Sequence, residues 1–422
     1  MHSGFFRFPA ALCVVVFWLS ASSAAEPFQL NPGDHIAYVG NTLADRMQHD
    51  GWLETQIQAA FPDHSLVFRN LGYPGDELKQ RIRADNFGSP DQWLSKVEAD
   101  VIFAFFGYNE SFAGEDGIEQ FERDLHEVID GMLGQQYNGE SAPRLVMFSP
   151  IAHEDLGSPH LPDGSANNRN LQMYTAAMQE VCQVKQVLFV DLFHPTQQMY
   201  AKSEGPLTMN GIHLLESGNR LVSQHIVQEL FGPNALVRKD EVDWGMLRNA
   251  VVNKNLHWFS RYRVVDEYNV FGGRSKLAWF GQSNADVMMR EMEIFDVKTA
   301  NRDVKVWAVA RGSEHEVKDD NLPDELAVRT NKPGPLEDDR FEYLSPQGTL
   351  ESFTLAEELE ANVLNITFLF LVYSCQFVTH LRRILYREFS FVLTQFGFSH
   401  LHNQVHADIK KQCLLFYCKM YL

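Results

Sequence analysis

The sequence predicts an α/β fold: a doubly wound, flavodoxin-like parallel sheet of five strands, followed by a helical C-terminal extension. Between residues 35 and 232, short β-rich runs alternate with amphipathic stretches. Strands separated by helices are typical of parallel sheets. One run, Val101–Phe106, is apolar without interruption, as expected for a strand that helices cover on both faces.

The elements follow in chain order. Helices are predicted where apolar residues recur every three or four positions, and strands where short β-rich runs lie between them. The predicted strands are His35–Val39, Leu66–Phe68, Val101–Phe106, Leu145–Phe148 and Val187–Leu192. The predicted helices are Leu43–Phe61, Gly117–Leu133, Asn168–Cys182 and Ser217–Phe231.

Composition excludes several classes of function. The chain has 422 residues, 36 Lys and Arg against 55 Asp and Glu, and a formal net charge of -19. An acidic chain lacks the basic face that a nucleic-acid partner requires, so none is expected. The five cysteines form no CxxC motif and no zinc-type spacing with histidine, so we predict no metal and no cofactor.

The N-terminal residues 1–25 are predicted to be a signal peptide. Arg7 precedes the apolar run Ala10–Leu19, and the small residues Ser23-Ala24-Ala25 offer a cleavage site. The expected location is periplasmic or extracellular, in a bacterial source. The alternative is an uncleaved membrane anchor.

The C-terminal part divides into three predicted segments after the sheet domain, which is predicted at 26–232. Residues 233–311 form a helical extension, with helices at Val237–Val252 and Ala285–Ala310. Residues 312–362 are an acidic linker and the start of a truncated following domain. Residues 363–422 are an atypical hydrophobic tail, either a frame-shifted, disordered segment or one containing a membrane helix at Val363–Leu381. Membrane association is expected only through this tail.

Four loops carry candidate chemistry. They contain Gly40-Asn41-Thr42-Leu43, the segment Asn70–Asp76, Gly107-Tyr108-Asn109-Glu110 and Asn210-Gly211-Ile212-His213. Doubly wound sheets bind ligands at the carboxyl ends of their strands, where loops of this kind meet. A hydroxyl at a helix N-terminus, amide donors for an oxyanion and a late histidine as base together indicate nucleophilic hydrolysis.

These loops resemble the motifs of the SGNH (GDSL-type) hydrolase family over about residues 33–232. The resemblance places Thr42 where the family has its serine nucleophile and His213 at the general base. It makes the Gly75 amide and the Asn109 side chain oxyanion donors. Asn210 stands where the family has the aspartate that orients the histidine, so the implied triad is altered.

A narrower resemblance concerns the stretches GNTLADRMQHDGWLE, FFGYNESF, FSPIAHE and NGIHL. They are similar to the N-terminal module of large exported planctomycete-type proteins, which continue into a membrane-bound dehydrogenase region and a c-type haem domain. The resemblance implies that this chain is a truncated or frame-shifted member.

Two functions from different classes therefore stay open. The first is hydrolysis of a small-molecule or carbohydrate ester, such as an O-acetyl group, and the second is a catalytically degenerate module that binds a carbohydrate or another ligand. A substitute carboxylate for His213 could come from Asp191 or Glu110. The non-catalytic explanation of Thr42 is a helix N-cap.

Four further residues are predicted to bind substrate because they lie in or beside these loops. They are Asn41, Tyr108, Glu110 and His153. A Gly-Gln-Ser-Asn stretch at 281–284 matches a nucleophile signature of another esterase branch, but we predict that Ser283 caps the following helix instead.

Overall fold

A five-stranded parallel sheet lies at the centre of the computed structural model, which describes residues 27–236, 242–264, 266–279 and 281–327. The strands are β1 His35–Gly40, β2 Val67–Asn70, β3 Val101–Phe105, β4 Arg144–Phe148 and β5 Leu188–Val190. Their order in the sheet is β2-β1-β3-β4-β5, and every neighbouring pair is parallel. The predicted doubly wound fold is confirmed.

Helices cover the sheet, and further helices follow the sheet domain towards the C-terminus. They are α1 Thr42–Asp50, α2 Trp52–Ala60, α3 Pro90–Lys96, α4 Ile118–Leu133, α5 Ser165–Lys185, α6 Phe193–Lys202, α7 Glu216–Phe231, α8 Trp244–Tyr262, α9 Glu267–Val270 and α10 Asn284–Ala310. A small antiparallel pair, β6 Ala278–Trp279 and β7 Gln282–Ser283, precedes α10.

Each face of the sheet has its own core because successive side chains of a strand point to opposite faces. Along β1, Ala37 and Val39 pack in one core with residues of α4 and α5. Ile36 and Tyr38 pack in the other core with residues of α1, α2 and α7. The central strand β3 is buried along its whole length, as its uninterrupted apolar run predicts.

Three differences from the predicted elements have local causes. The single helix expected at Leu43–Phe61 is divided at Gly51, which has a φ of 69° and ends α1. Helix α8 begins at Trp244, where the Asp243 side chain accepts from the Met246 amide. Residues 237–241, where the sequence predicted its start, lie outside the described residues. Helices α3 and α6 were not predicted.

The extension packs on the β2 edge of the sheet through paired polar groups. Trp258 donates its indole N–H to the Asn70 carbonyl at 2.7 Å. A buried Lys254–Glu54 ion pair at 2.9 Å joins α8 to α2. Arg69 of β2 pairs with Asp303 of α10 at 2.6 Å. The described residues belong to one compact unit, 1–331; the domain boundaries predicted from sequence stay predictions.

Several predictions fall outside the described residues. They are the signal peptide at 1–25, the greater part of the segment 312–362 and the tail 363–422. Within the described ranges, no helix combines the length and the apolar character needed to cross a bilayer.

Candidate active site

The end of β1 brings the first predicted catalytic loop against β3. Gly40 has a φ of 130°, and a Cβ there would lie 2.1 Å from the Phe105 carbonyl oxygen. Glycine is therefore required for the ends of β1 and β3 to approach this closely. The Asn41 amide then donates to the same oxygen at 3.1 Å. Asn41 and Thr42 consequently leave the sheet between β1 and β3, where the strand order reverses and such folds bind ligands.

Thr42 is the first residue of α1 but does not cap it. The cap is Asn41, whose side-chain oxygen accepts from the Leu43 amide at 3.0 Å. The N-cap explanation of Thr42 is therefore wrong. The hydroxyl of Thr42 makes no hydrogen bond within the described residues, and the residue lines a cavity at the helix N-terminus, where the helix dipole favours negative charge.

Asn109 and Tyr108 reach the same cavity from the loop after β3. The Asn109 amide nitrogen donates to the Asp76 carbonyl at 3.2 Å. Because this nitrogen carries two hydrogens, one donor stays available. Burial raises the pKa of the Tyr108 phenol, which is therefore protonated at neutral pH.

His213 enters the cavity from the loop that precedes α7, and Asn210 orients it. The Asn210 side-chain oxygen accepts from the His213 backbone amide at 3.0 Å and lies 3.0 Å from His213 Nδ1. A backbone amide can only donate, so the group facing both nitrogens is the Asn210 oxygen. Nδ1 must then carry the proton in the neutral ring, which leaves Nε2 as a proton acceptor.

The cavity that these residues share has a volume of about 160 Å³. Its walls are mainly apolar, and it opens beside Phe112, which is 65% exposed. The lining residues are Asn41, Thr42, Leu43, Arg46, Phe105, Phe106, Tyr108, Asn109, Phe112, Ser149, Pro150, Ile151, Ile212, His213, Leu214 and Asn219. Thr42 and His213 thus face one space, although no hydrogen bond joins them in the described structure.

Electrostatics favour the neutral form of His213. Burial lowers its pKa, and the positive charge of Arg46 lowers it further. The sequence analysis did not select Arg46. Its spacing of four residues from Thr42 on one helix was the available signal, because residues at that spacing share a helix face.

The predicted oxyanion donor Gly75 lies elsewhere. It is exposed in the loop after β2, has a φ of 84°, and is not among the residues that line the cavity. Its role therefore stays a prediction, and it requires this loop to come closer to the cavity when substrate binds.

Glu110 supports the loops rather than lining the cavity. Its two carboxylate oxygens accept from the Leu78 and Gly107 amides, each at 2.9 Å. These bonds tie the loop after β2 to the loop after β3. Burial raises the pKa of Glu110 to about 7, although the two amides oppose the shift.

His153 lies behind the His213 loop and outside the cavity lining. It is buried, and a Cβ on Gly211 would lie 2.3 Å from its Nε2. The Asn168 side chain accepts from its backbone amide at 2.8 Å. The structure thus places His153 as packing beneath the loop that carries Asn210 and His213, and its predicted substrate contact stays a prediction.

Glu154, its neighbour, holds the same loop by hydrogen bonds. Its carboxylate accepts from the Leu207 and Thr208 amides and from the Thr208 hydroxyl, the last at 2.6 Å. Its own amide donates to the Gly211 carbonyl at 2.8 Å. Local sequence patterns give no sign of this role, because the partners of Glu154 are distant in the chain.

Neither suggested substitute carboxylate reaches His213. Asp191 pairs with His194 at 2.6 Å and accepts from the Phe193 amide at the start of α6. Glu110 is bound to backbone amides as described above. Among the described residues, the Nδ1 partner of His213 is the neutral amide of Asn210.

No metal centre is evident in the described ranges, where no three His, Cys, Asp or Glu side chains converge in a way that could hold an ion. In the Gly-Gln-Ser-Asn stretch at 281–284, the predicted helix cap is confirmed. The Ser283 hydroxyl accepts from the Asp286 amide in a capping box at the start of α10.

A hydroxyl, an imidazole and an amide donor at the carboxyl edge of a parallel sheet define a hydrolase-type site. Residues 33–221 match the model of the GDSL-like lipase/acylhydrolase family. This segment of the chain is therefore similar to that family, also known as the SGNH hydrolases. No curated protein matches the chain significantly.

Three solved structures are similar to about half of this chain. A gut microbial diltiazem-metabolizing enzyme is 16% identical with a TM-score of 0.39, over 49% of this chain and 49% of its own. The chain thus spans about half the length of that enzyme. A catalytic mutant of Axe2, an acetylxylan esterase from Geobacillus stearothermophilus, is 12% identical with a TM-score of 0.38, over 48% and 95%. LAE5, an α/β hydrolase from the metagenome of Lake Arreo, Spain, is 16% identical with a TM-score of 0.37, over 48% and 96%.

Proposed function

We propose that the protein hydrolyses esters with a short acyl group, using Thr42 as nucleophile and His213 as general base. The observation that carries the proposal is the shared cavity: Thr42, Asn109 and His213 line it together, and Asn210 keeps the basic Nε2 of His213 unprotonated. A nucleophile, a base and an oxyanion donor in one space are the parts that acyl transfer requires.

The reaction proceeds in two balanced steps. Thr42 Oγ1 attacks the carbonyl carbon while His213 Nε2 takes its proton, and the free hydrogen of the Asn109 amide binds the oxyanion. The alcohol leaves with the proton from His213, and the acyl group stays on Thr42. Water, deprotonated by His213, then releases the acid and returns the proton to Thr42.

The size of the cavity favours a small acyl group. Pockets for drug-sized ligands occupy roughly 300–1,000 Å³, whereas this one has about 160 Å³. The exposed ring of Phe112, edge-on to Tyr108 with centroids 5.7 Å apart, offers an apolar surface at the opening on which a sugar ring could pack. We therefore propose a carbohydrate O-acetyl ester as substrate.

The altered triad makes slow turnover the expectation. The β-methyl of Thr42 crowds its hydroxyl. Asn210 supplies no negative charge to stabilise the imidazolium of His213. In a serine protease, replacing the corresponding triad aspartate by asparagine costs about 10⁴ in turnover. These two substitutions, with no Thr42–His213 hydrogen bond among the described residues, favour the second candidate, a degenerate module that binds the ligand without cleaving it.

The cellular setting is also a proposal. The apolar run near the N-terminus supports export, and the planctomycete-type motifs support an origin as one module of a larger dehydrogenase and haem protein. Both suggest a carbohydrate ester outside the cytoplasm as the substrate.

A Thr42→Ala variant of the full chain tests the proposal. With para-nitrophenyl acetate we expect slow turnover by the wild type, none by Thr42→Ala, and faster turnover by Thr42→Ser, which removes the crowding methyl. Acid-quenched protein should carry an acetyl group on Thr42 by mass spectrometry. Ser260→Ala, which removes an exposed hydroxyl on α8, is the control.

Two results would reject the catalytic assignment. One is wild-type turnover no faster than buffer, which favours the binding module. The other is a Thr42→Ala variant as active as the wild type, which assigns hydrolysis to a different nucleophile.

A further inference from the structure

Arg46 brings a positive charge to the cavity, and no carboxylate of the described residues forms an ion pair with it. It lies on α1 four residues after Thr42, and it lines the cavity. Its Nε is buried and finds no hydrogen-bond partner within the described residues. The Nε–H of this half-buried side chain is therefore desolvated without a partner, a cost that an anion bound by the guanidinium would offset.

Three largely buried arginines of the described residues are paired. Arg69, Arg83 and Arg302, all largely buried, contact Asp303, Asp76 and Asp319 within 3.1 Å. Arg46 has no such ion pair in the described part of the chain. Asp45, its acidic neighbour on α1, is bound by Arg263 at 3.0 Å. In a protein with a formal net charge of -19, an arginine left unpaired at a cavity is notable.

The shared cavity places this charge near Thr42. Four residues of α-helix advance about 6 Å along the helix axis and return to nearly the same face, and both residues line the cavity. A group bound by Arg46 can therefore belong to a molecule whose carbonyl carbon lies at Thr42. The planar guanidinium fork matches a carboxylate, to which it can donate two parallel hydrogen bonds.

We propose that Arg46 binds a carboxylate of the substrate, so that the enzyme selects esters of acidic molecules over neutral ones. The inference rests on the proposed function, in which this cavity is the active site, and narrows its substrate to an ester that carries a negative charge beside the acyl group. An O-acetylated acidic sugar has this chemistry.

A matched pair of esters tests the selection. Para-acetoxybenzoate and para-acetoxybenzamide have the same acetyl group and nearly the same shape, and differ in charge. The wild-type full chain should show a kcat/KM about tenfold or more higher for the carboxylate, the usual range for a charge-assisted hydrogen bond. Arg46→Gln should lose this preference, so that its kcat/KM values for the two esters become similar, and Arg46→Lys should keep part of it.

Arg169→Gln is the matched control, because it removes one exposed arginine of α5 that lines no part of the cavity. It should keep the preference, which separates a local contact from a change in net charge. Equal kcat/KM values for the two esters in the wild type, or a preference that survives in Arg46→Gln, would overturn the inference while leaving the esterase intact.

Binding of the products distinguishes this failure from failure of the proposed function. If neither ester is hydrolysed, calorimetry with para-hydroxybenzoate and para-hydroxybenzamide decides. Tighter binding of the carboxylate, lost in Arg46→Gln and retained in Arg169→Gln, supports the Arg46 site even in a non-catalytic module. Equal binding of both compounds rejects it.

Discussion

The two halves of the cavity are built by different means. On one side, the chain after β1 is fixed by backbone contacts, with Gly40 against Phe105 and the Asn41 amide donating to the Phe105 carbonyl. On the other side, the loop before α7 is held by side chains, with Glu154 binding its backbone and Asn210 orienting His213.

This difference between backbone and side-chain contacts shows which half of the site departs from that of an efficient hydrolase. Backbone contacts fix the position of Thr42, the proposed nucleophile, whether its side chain is serine or threonine. Proton transfer instead depends on the charge of one side chain, and at that position Asn210 provides orientation without charge. The first half therefore keeps its backbone geometry, whereas the second keeps the orientation of His213 but lacks the negative charge beside it.

The largest expected effect is the loss of stability when the close contact between Gly40 and Phe105 is disrupted. Gly40→Ala places a Cβ 2.1 Å from the Phe105 oxygen, and its φ of 130° is strained for alanine. We expect the free energy of unfolding to fall by roughly 4 kcal/mol, or the protein not to fold. Chemical denaturation measures this loss.

Gly33→Ala is the control for backbone strain alone. Gly33 has a φ of 84°, but a Cβ there meets nothing within 4 Å. A loss of roughly 1 kcal/mol is expected. Equal losses in the two variants would show that the contact with β3 is not what requires glycine at residue 40.

Restoring charge to the second half should raise activity. Asn210→Asp gives His213 Nδ1 a carboxylate partner, which stabilises the imidazolium formed in each step. We expect kcat to rise between about tenfold and a thousandfold. This is less than the factor of roughly 10⁴ that a serine protease loses when its triad aspartate becomes asparagine, because Thr42 remains crowded. Asn234→Asp adds the same charge at an exposed position and should change nothing. An unchanged kcat in Asn210→Asp would mean that proton transfer does not limit turnover.

The pH dependence separates the two electrostatic states of His213. Burial and Arg46 lower its pKa, so the base stays neutral to a lower pH than an ordinary histidine. The acid limb of kcat/KM should fall with an apparent pKa below about 6.5. In Asn210→Asp the added negative charge favours the protonated ring, so the limb should move to higher pH. A wild-type limb at or above the ordinary value would contradict this electrostatic account.

The smallest effect concerns the cap of α1. Asn41→Ala removes the acceptor for the Leu43 amide and should reduce stability by about 1 kcal/mol. Ser283→Ala removes the cap of α10 and should cost a similar amount. Because only Asn41 adjoins the nucleophile, Asn41→Ala should lower kcat as well, and Ser283→Ala should not. Equal activity of the two variants would mean that Thr42 is positioned by β1 alone.

The sequence by itself determined the five-stranded parallel sheet and the loops that carry chemistry. The reason is that strand burial and helical periodicity are local patterns, and the carboxyl ends of neighbouring parallel strands must meet. Thr42, Asn109 and His213 could therefore be placed near one another before any coordinates, and the structure does bring them to one cavity.

Only the tertiary structure decided which loop residues face that cavity and which support it. Gly75, Glu110 and His153 lie in the right loops, yet one is exposed and two pack behind the site. Arg46 lines the cavity although its own sequence neighbourhood looks like ordinary helix surface. Sequence patterns fix where a loop begins, but the direction of a side chain depends on partners that are distant in the chain, as Glu154 and Leu207 are.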